Sequence, residues 1–203
     1  MSDTFILKIR TIAETAKPIE MEARRAVEID PNDSEAHSAL GIAFISAGNL
    51  PGTLDCAERA LRLNQNSALG HSQRAVSLMY SGRQAEARSE ASVSLRLNPH
   101  GLISQYAATQ FAGTYYLEGN YEAAIDAARR CLDTHPMYTP PRRYLVTALG
   151  QLGRREEAAE ALRDWLAVAP GVFDNVVRNR PPYVLPEDHA HILEGMRKAG
   201  WTG

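Results

Sequence analysis

The sequence predicts an all-α solenoid, a row of antiparallel helix pairs closed by a C-terminal capping helix. Three observations carry this. A phrase that opens on glycine and closes on proline recurs: GNLPGTLDCAERALRLNQ at 48–65, with Gln65 in the proline place, GRQAEARSEASVSLRLNP at 82–99, GNYEAAIDAARRCLDTHP at 119–136 and GRREEAAEALRDWLAVAP at 153–170. The phrase keeps a period: Gly48 and Gly82 are 34 residues apart, Gly82 and Gly119 are 37, and Gly119 and Gly153 are 34 again. Small and large residues also alternate at fixed offsets from each glycine. Five residues after it stand Thr53, Ala87, Ala124 and Ala158, and nine after it Ala57, Ala91, Ala128 and Leu162. Seven before it stand Gly41, Ala75, Ala112 and Val146, and four before it Phe44, Leu78, Tyr115 and Leu149. Such alternation lets helices approach closely and interdigitate, and a period of this size marks units that bury their apolar faces only by stacking.

The chain reads as a single domain over 1–203. A degenerate N-terminal hairpin (1–33) comes first, with TFILKIRTIAETA as a shortened helix stopped before Pro18 and EARRAVEIDP as the end of its partner. Repeats follow at 34–67, 68–104, 105–138 and 139–172. In the first, Ser34 is expected to cap a helix carrying Ala36, Leu40, Gly41 and Phe44 on one face. A second helix is expected to start near Pro51, a residue tolerated in a first turn. Glycine releases the turn inside each pair, and proline, unable to continue a helix, separates one pair from the next. The segment 173–203 breaks the period. A helix is predicted from about Pro186, with Glu187 and Asp188 in its first turn, Arg197 and Lys198 in its last, and Ile192, Leu193 and Met196 on one stripe that caps the solenoid.

A formal net charge of -2 and a pI near 6.3 give no global attraction to nucleic acid or anionic lipid, so neither is expected as a partner. The start MSDTFILKIR lacks the pattern of a secretory signal, and no apolar run approaches a membrane span. A cytoplasmic location is the expectation. Cys56 and Cys131, inside predicted helices and without a CxxC motif, are expected to be free thiols packing as small apolar groups.

The residues Leu40, Gly41, Phe44, Gly48, Ala57 and Ala60, with Ala112, Tyr115, Gly119, Ala124, Ala128 and Pro136, and with Leu145, Gly153, Ala158 and Pro170, resemble the tetratricopeptide repeat. Arg74, Thr53 and Trp165 depart from that pattern. The resemblance implies a right-handed α-α superhelix with a concave recognition face. The spacing, the stretch LRLNPHGLISQY and the ending EGMRKAGW also look like the tetratricopeptide region appended to bacterial class III adenylate or guanylate cyclases, which implies a regulatory module of a signalling protein. Some family members clamp a chaperone's C-terminal carboxylate. Only Arg143 could take part in that here, since Ser38, Ile42, Ser72 and Val76 replace the other clamp residues.

No phosphate-binding, nucleophile-elbow or metalloprotease motif occurs, and no acid–base pair converges, so no catalytic residue, metal or cofactor is expected. His189 and His191 are two apart on a helix and do not share a face; they are read as a solvent-facing pair. His37 and His71 occupy equivalent repeat positions and are expected to stack. The inner face of the first helices is the better candidate. The expected partner-binding groove comprises Ile42, Ile45, Val76, Met79, Thr109, Tyr116, Arg143 and Thr147, several of them apolar where a purely solvated face needs no apolar residue. Cover by a neighbouring helix or by the chain's own tail is the alternative for them. The expected function is non-catalytic protein–protein interaction, with a protein or peptide segment in this groove. Self-association into a homodimer of a cyclase-type enzyme is the alternative.

Overall fold

A computed structural model describes residues 12–178 and 184–203. These residues form helices and no strand: α1 (Ile12–Ile29), α2 (Ser34–Ala47), α3 (Leu50–Leu63), α4 (Ala68–Tyr80), α5 (Gln84–Leu97), α6 (Leu102–Leu117), α7 (Tyr121–Thr134), α8 (Pro140–Gln151), α9 (Arg155–Val168), α10 (Pro170–Arg178) and α11 (Pro186–Lys198). Each helix from α1 to α9 packs on the next, and α2, α4, α6 and α8 also touch in series, so that they make an inner row and α3, α5, α7 and α9 an outer one.

The sequence columns become the packing. Gly48, Gly82, Gly119 and Gly153 sit at φ of 77, 76, 79 and 70°, left-handed values that carry little penalty only without a Cβ. Ala57, Ala75, Ala87, Ala91, Ala112, Ala124, Ala128 and Ala158 are fully buried, where any added methylene would press the helices apart. Phe44, Leu78 and Leu149 fill the spaces between them, whereas Tyr115 stays half-buried beneath the Arg88 guanidinium, 4.9 Å from its ring centroid. Both cysteines are free and buried, and burial pushes each thiol up to about 11.

Several local expectations are corrected. Asp33, not Ser34, caps α2, accepting from the Glu35 amide at 2.8 Å; Ser34 is the first helical residue and donates to the Ala60 carbonyl. α1 runs through Pro18 instead of stopping before it. The proline ring is exposed there, so its cost is one missing backbone bond at the solvent edge. The expected helix N-terminal to α1 lies largely outside the described residues. Pro170 does more than separate units: it opens α10, a helix the periodicity did not reveal. His37 and His71 do not stack. Each Nε2 donates to a carbonyl six residues earlier, Pro31 at 2.9 Å and Gln65 at 3.0 Å, and Arg142 does the same to Pro136 at 2.6 Å. These residues therefore close the turn between units.

The last repeat has no successor to cover α9. Trp165, placed where the repeat pattern expects a small residue, is 1% exposed and meets Phe173 of α10 edge-to-face at 5.1 Å, and Trp201 meets Phe173 edge-to-face at 6.3 Å. One large aromatic thus replaces the missing unit, and Phe173 and Val177, four apart on α10, turn the same face inward.

Candidate functional site

The two rows of helices differ in charge. The outer helices α3, α5, α7 and α9 each carry at least four acidic and basic residues, whereas α6 carries none over its 16 residues and Glu35 is the sole carboxylate of the inner row. An inner helix is apolar on both sides because one side packs on the outer row and the other lines the concave face.

There a cavity of about 270 Å³ opens between α2, α4 and α6. Ile42 and Ile45 form one wall, Leu69 and Val76 the next, and Tyr80, Tyr106, Tyr138 and Arg143 the far side. Ile42 is 41% exposed and Tyr106 40%. Tyr106 and Tyr138 meet edge-to-face at 6.2 Å. Burial pushes the Tyr138 phenol up to about 12. Arg143 donates from Nη2 to the Tyr80 and Tyr144 hydroxyls, both at 2.9 Å, with its guanidinium over the Tyr144 ring at 4.6 Å. The floor is locked by two glutamines in equivalent places. Gln73 Nε2 donates to the Ser38 carbonyl at 2.5 Å, and Gln110 Nε2 to the Ser72 carbonyl at 2.8 Å and its hydroxyl at 3.0 Å. Gly41 makes the first lock feasible, since a Cβ there would fall 2.7 Å from Gln73 Oε1.

Of the expected groove residues, Ile42, Ile45, Val76 and Arg143 line this cavity with accessible surface. Met79 and Thr109 line it only as buried floor, Met79 at 2% exposure. Tyr116 and Thr147 are corrected: both are fully buried beneath α11. That helix lies along α8 with backbones nearly touching, because a Cβ on Gly150 would sit 2.2 Å from the Gly195 carbonyl oxygen, and one on Gly195 2.8 Å from Thr147. Ile192, Met196 and Ala199 complete the core there. Tyr116 stacks on His191 at 4.5 Å and donates to its carbonyl at 2.8 Å. Val184 is 2% exposed and belongs to one buried cluster with Leu78, Met79, Tyr80 and Ala87. Sequence reasoning missed Tyr80, Tyr106 and Tyr138. The first lies four residues beyond Val76 and the second three before Thr109, spacings that share a helix face; Tyr138 sits in a turn, where no periodicity applies.

The two C-terminal histidines are not a solvent-facing pair. His189 Nε2 donates to the Val176 carbonyl at 3.0 Å, tying α11 to α10, and His191 Nε2 meets the Tyr121 hydroxyl at 2.9 Å. Burial pulls the His191 pKa below its ordinary 6.5, outweighing the upward pull of Glu194 and Asp188, while Lys198 acts with burial. The unfolded chain therefore binds this proton more readily. The contribution to stability is fully present above the unfolded value and is lost as pH falls through 6.5 towards the folded value. The melting temperature is expected to drop between about pH 7.5 and 5.5 in calorimetry, and less steeply in a His191→Gln variant.

Residues 29–169 match the family described as the bacterial transcriptional activator domain. The chain belongs to this family. No curated protein matches it. Among solved structures, TTC0263, a thermophilic TPR protein in Thermus thermophilus, superposes with a TM-score of 0.67 at 20% identity, covering 90% of this chain and 92% of that one. PilW, a widely conserved type IV pilus biogenesis factor, gives 0.67 at 15% identity, covering 94% and 90%. YrrB, a TPR protein with an unusual peptide-binding site, gives 0.55 at 18% identity, covering 87% and 90%. At these identities the likeness establishes the fold: this member of the activator-domain family is a tetratricopeptide-like helical solenoid. No helix among the described residues is long and apolar enough to cross a membrane.

Proposed function

We propose that this domain is a non-catalytic interaction module that receives a segment of a partner protein in the cavity between α2, α4 and α6, and that it serves as a regulatory part of a larger signalling or transcription-regulating system. The observation that carries the reading is the conjunction of an open concavity with Ile42, Ile45, Val76 and Tyr106 as its walls. Apolar side chains gathered in a concave site are a recognition surface, because covering them recovers hydrophobic free energy. The family description favours a transcriptional regulator over a nucleotide cyclase as the setting for such a module.

The test uses a partner captured from the source cell and then purified. A combined Ile42→Ser and Val76→Ser variant should keep its helical circular dichroism and lose at least about tenfold in affinity, near 1.4 kcal/mol, by calorimetric titration. Leu166→Ser, on the exposed surface of α9, should bind as the unaltered chain does. Equal affinities of all three proteins would remove the groove from the interaction. A concentration-dependent dimer in light scattering, abolished by the groove variant, would favour self-association instead.

A further inference from the structure

The third repeat departs from the others on the outer face, away from the groove. In three units the residue 11 positions before the turn glycine closes the joint with the preceding unit: His37, His71 and Arg142 each donate to a carbonyl six residues earlier. The third unit has Ala108 there. Its 37-residue spacing goes into α6, which is 16 residues long against 13 for α4. Gln105 stands 14 before its glycine, the place at which α4 starts with Ala68, so residues 102–104 form an extra turn. A short side chain beside a lengthened helix leaves a hollow of about 480 Å³ between α5 and α7, with α6 as its floor.

We propose that this hollow is a second site, independent of the groove, for a small anion with an apolar body: a carboxylate or phosphate carried on an aromatic or branched aliphatic group. Leu95, Ala108, Phe111 and Tyr115 supply apolar surface for the body, in a volume suited to a small molecule. Arg130, His100 and His135 supply donors for the anion, beside the hydroxyls of Ser104 and Thr134. His135 is held there by Ser104, whose Oγ lies 3.4 Å from Nε2 and donates to the Gly101 carbonyl at 2.8 Å. No aspartate or glutamate is among the described residues that line the hollow. Arg129 pairs with Glu157 and Arg88 with Glu118, whereas the exposed Arg130 between them in space makes no ion pair with a described residue. Its fork of donors is therefore open to a carboxylate or phosphate. A cationic ligand would meet a like charge with no carboxylate to receive it, so the site discriminates against bases.

Heteronuclear NMR spectra of the isotope-labelled full chain, titrated with phenylacetate and with phenyl phosphate, test this. The anions should bind saturably, with a Kd below about 1 mM, and shift the amides around Ala108, Arg130 and His135. The tighter of the two names the headgroup, and one binding alone names it outright. Uncharged phenylacetamide should bind at least about tenfold more weakly, and Arg130→Gln should erase that difference by weakening the anions alone. Ala108→His restores the side chain that the first two units carry; it should abolish binding of all three probes and leave the helical circular dichroism unchanged. Should that variant misfold, Arg130→Gln, at an exposed position, decides alone. Equal affinity for phenylacetate and phenylacetamide, or no shift with either anion, would overturn the proposal. So would shifts confined to the inner cavity and lost in Ile42→Ser, a result that leaves the groove reading standing.

Discussion

Gly150→Ala is expected to destabilise the protein by roughly 3 kcal/mol, at the upper end of what overpacking costs. The added methyl would stand 2.2 Å from the Gly195 carbonyl oxygen and 3.0 Å from the Ala199 amide nitrogen. Both are backbone atoms, so no rotamer change relieves the clash; α11 must lift from α8. Lifting it uncovers Tyr116, Ile192 and Met196, each less than 5% exposed in the intact fold. Gly171→Ala is the matched control, since a Cβ there meets nothing within 4 Å and the residue lies in the first turn of α10. That change should be neutral, or stabilising by up to about 1 kcal/mol through helix propensity. Thermal unfolding followed by circular dichroism compares the two. An unchanged melting temperature for Gly150→Ala would mean that α11 does not cross α8 at this spacing.

The repeats were legible because their signals are local. A turn glycine, an alanine five residues on and a large residue four before each act within one helix pair, and the pairs α2–α3, α4–α5, α6–α7 and α8–α9 each turn at one of those glycines. The cavity-lining positions Ile42, Ile45 and Val76 could be named for a related reason: each is apolar on the face of a first helix that the repeat register turns away from the outer row. The C-terminal region was harder, because its contacts join residues far apart in sequence. Tyr116 and His191 are 75 positions apart, and nothing in the period states which helix a cap will cross or in what register. The small residues Gly150 and Gly195 were visible, but their pairing was not. Trp165 looked like a departure from the repeat pattern and is the residue that replaces the absent next unit. α10 escaped notice because Pro170 was read as a stop, although the spacing of Phe173 and Val177 already suited a short helix.

Tyr116 separates the two roles first considered for the inner face. As a core residue, with its ring 4.5 Å from His191, 5.6 Å from Tyr121 and 5.9 Å from Tyr144, it should cost roughly 3–5 kcal/mol when replaced by alanine. Amide hydrogen exchange in α11 should accelerate as that helix loses its seat. Tyr116→Phe keeps the stack and removes only the hydroxyl that donates to the His191 carbonyl. That carbonyl retains Gln151 Nε2 at 3.4 Å as a second donor, so the loss should stay near 1 kcal/mol or below. Neither the hydroxyl nor the ring lines the open cavity, and Tyr116→Phe should therefore bind a groove peptide as the unaltered chain does. If Tyr116→Phe instead kept its stability and lost about tenfold in affinity, the tyrosine would belong to the binding surface. In that event α11 would have to leave α8 in the complex, and Gly150→Ala, by loosening the same helix, would raise the affinity that Tyr116→Phe lowers.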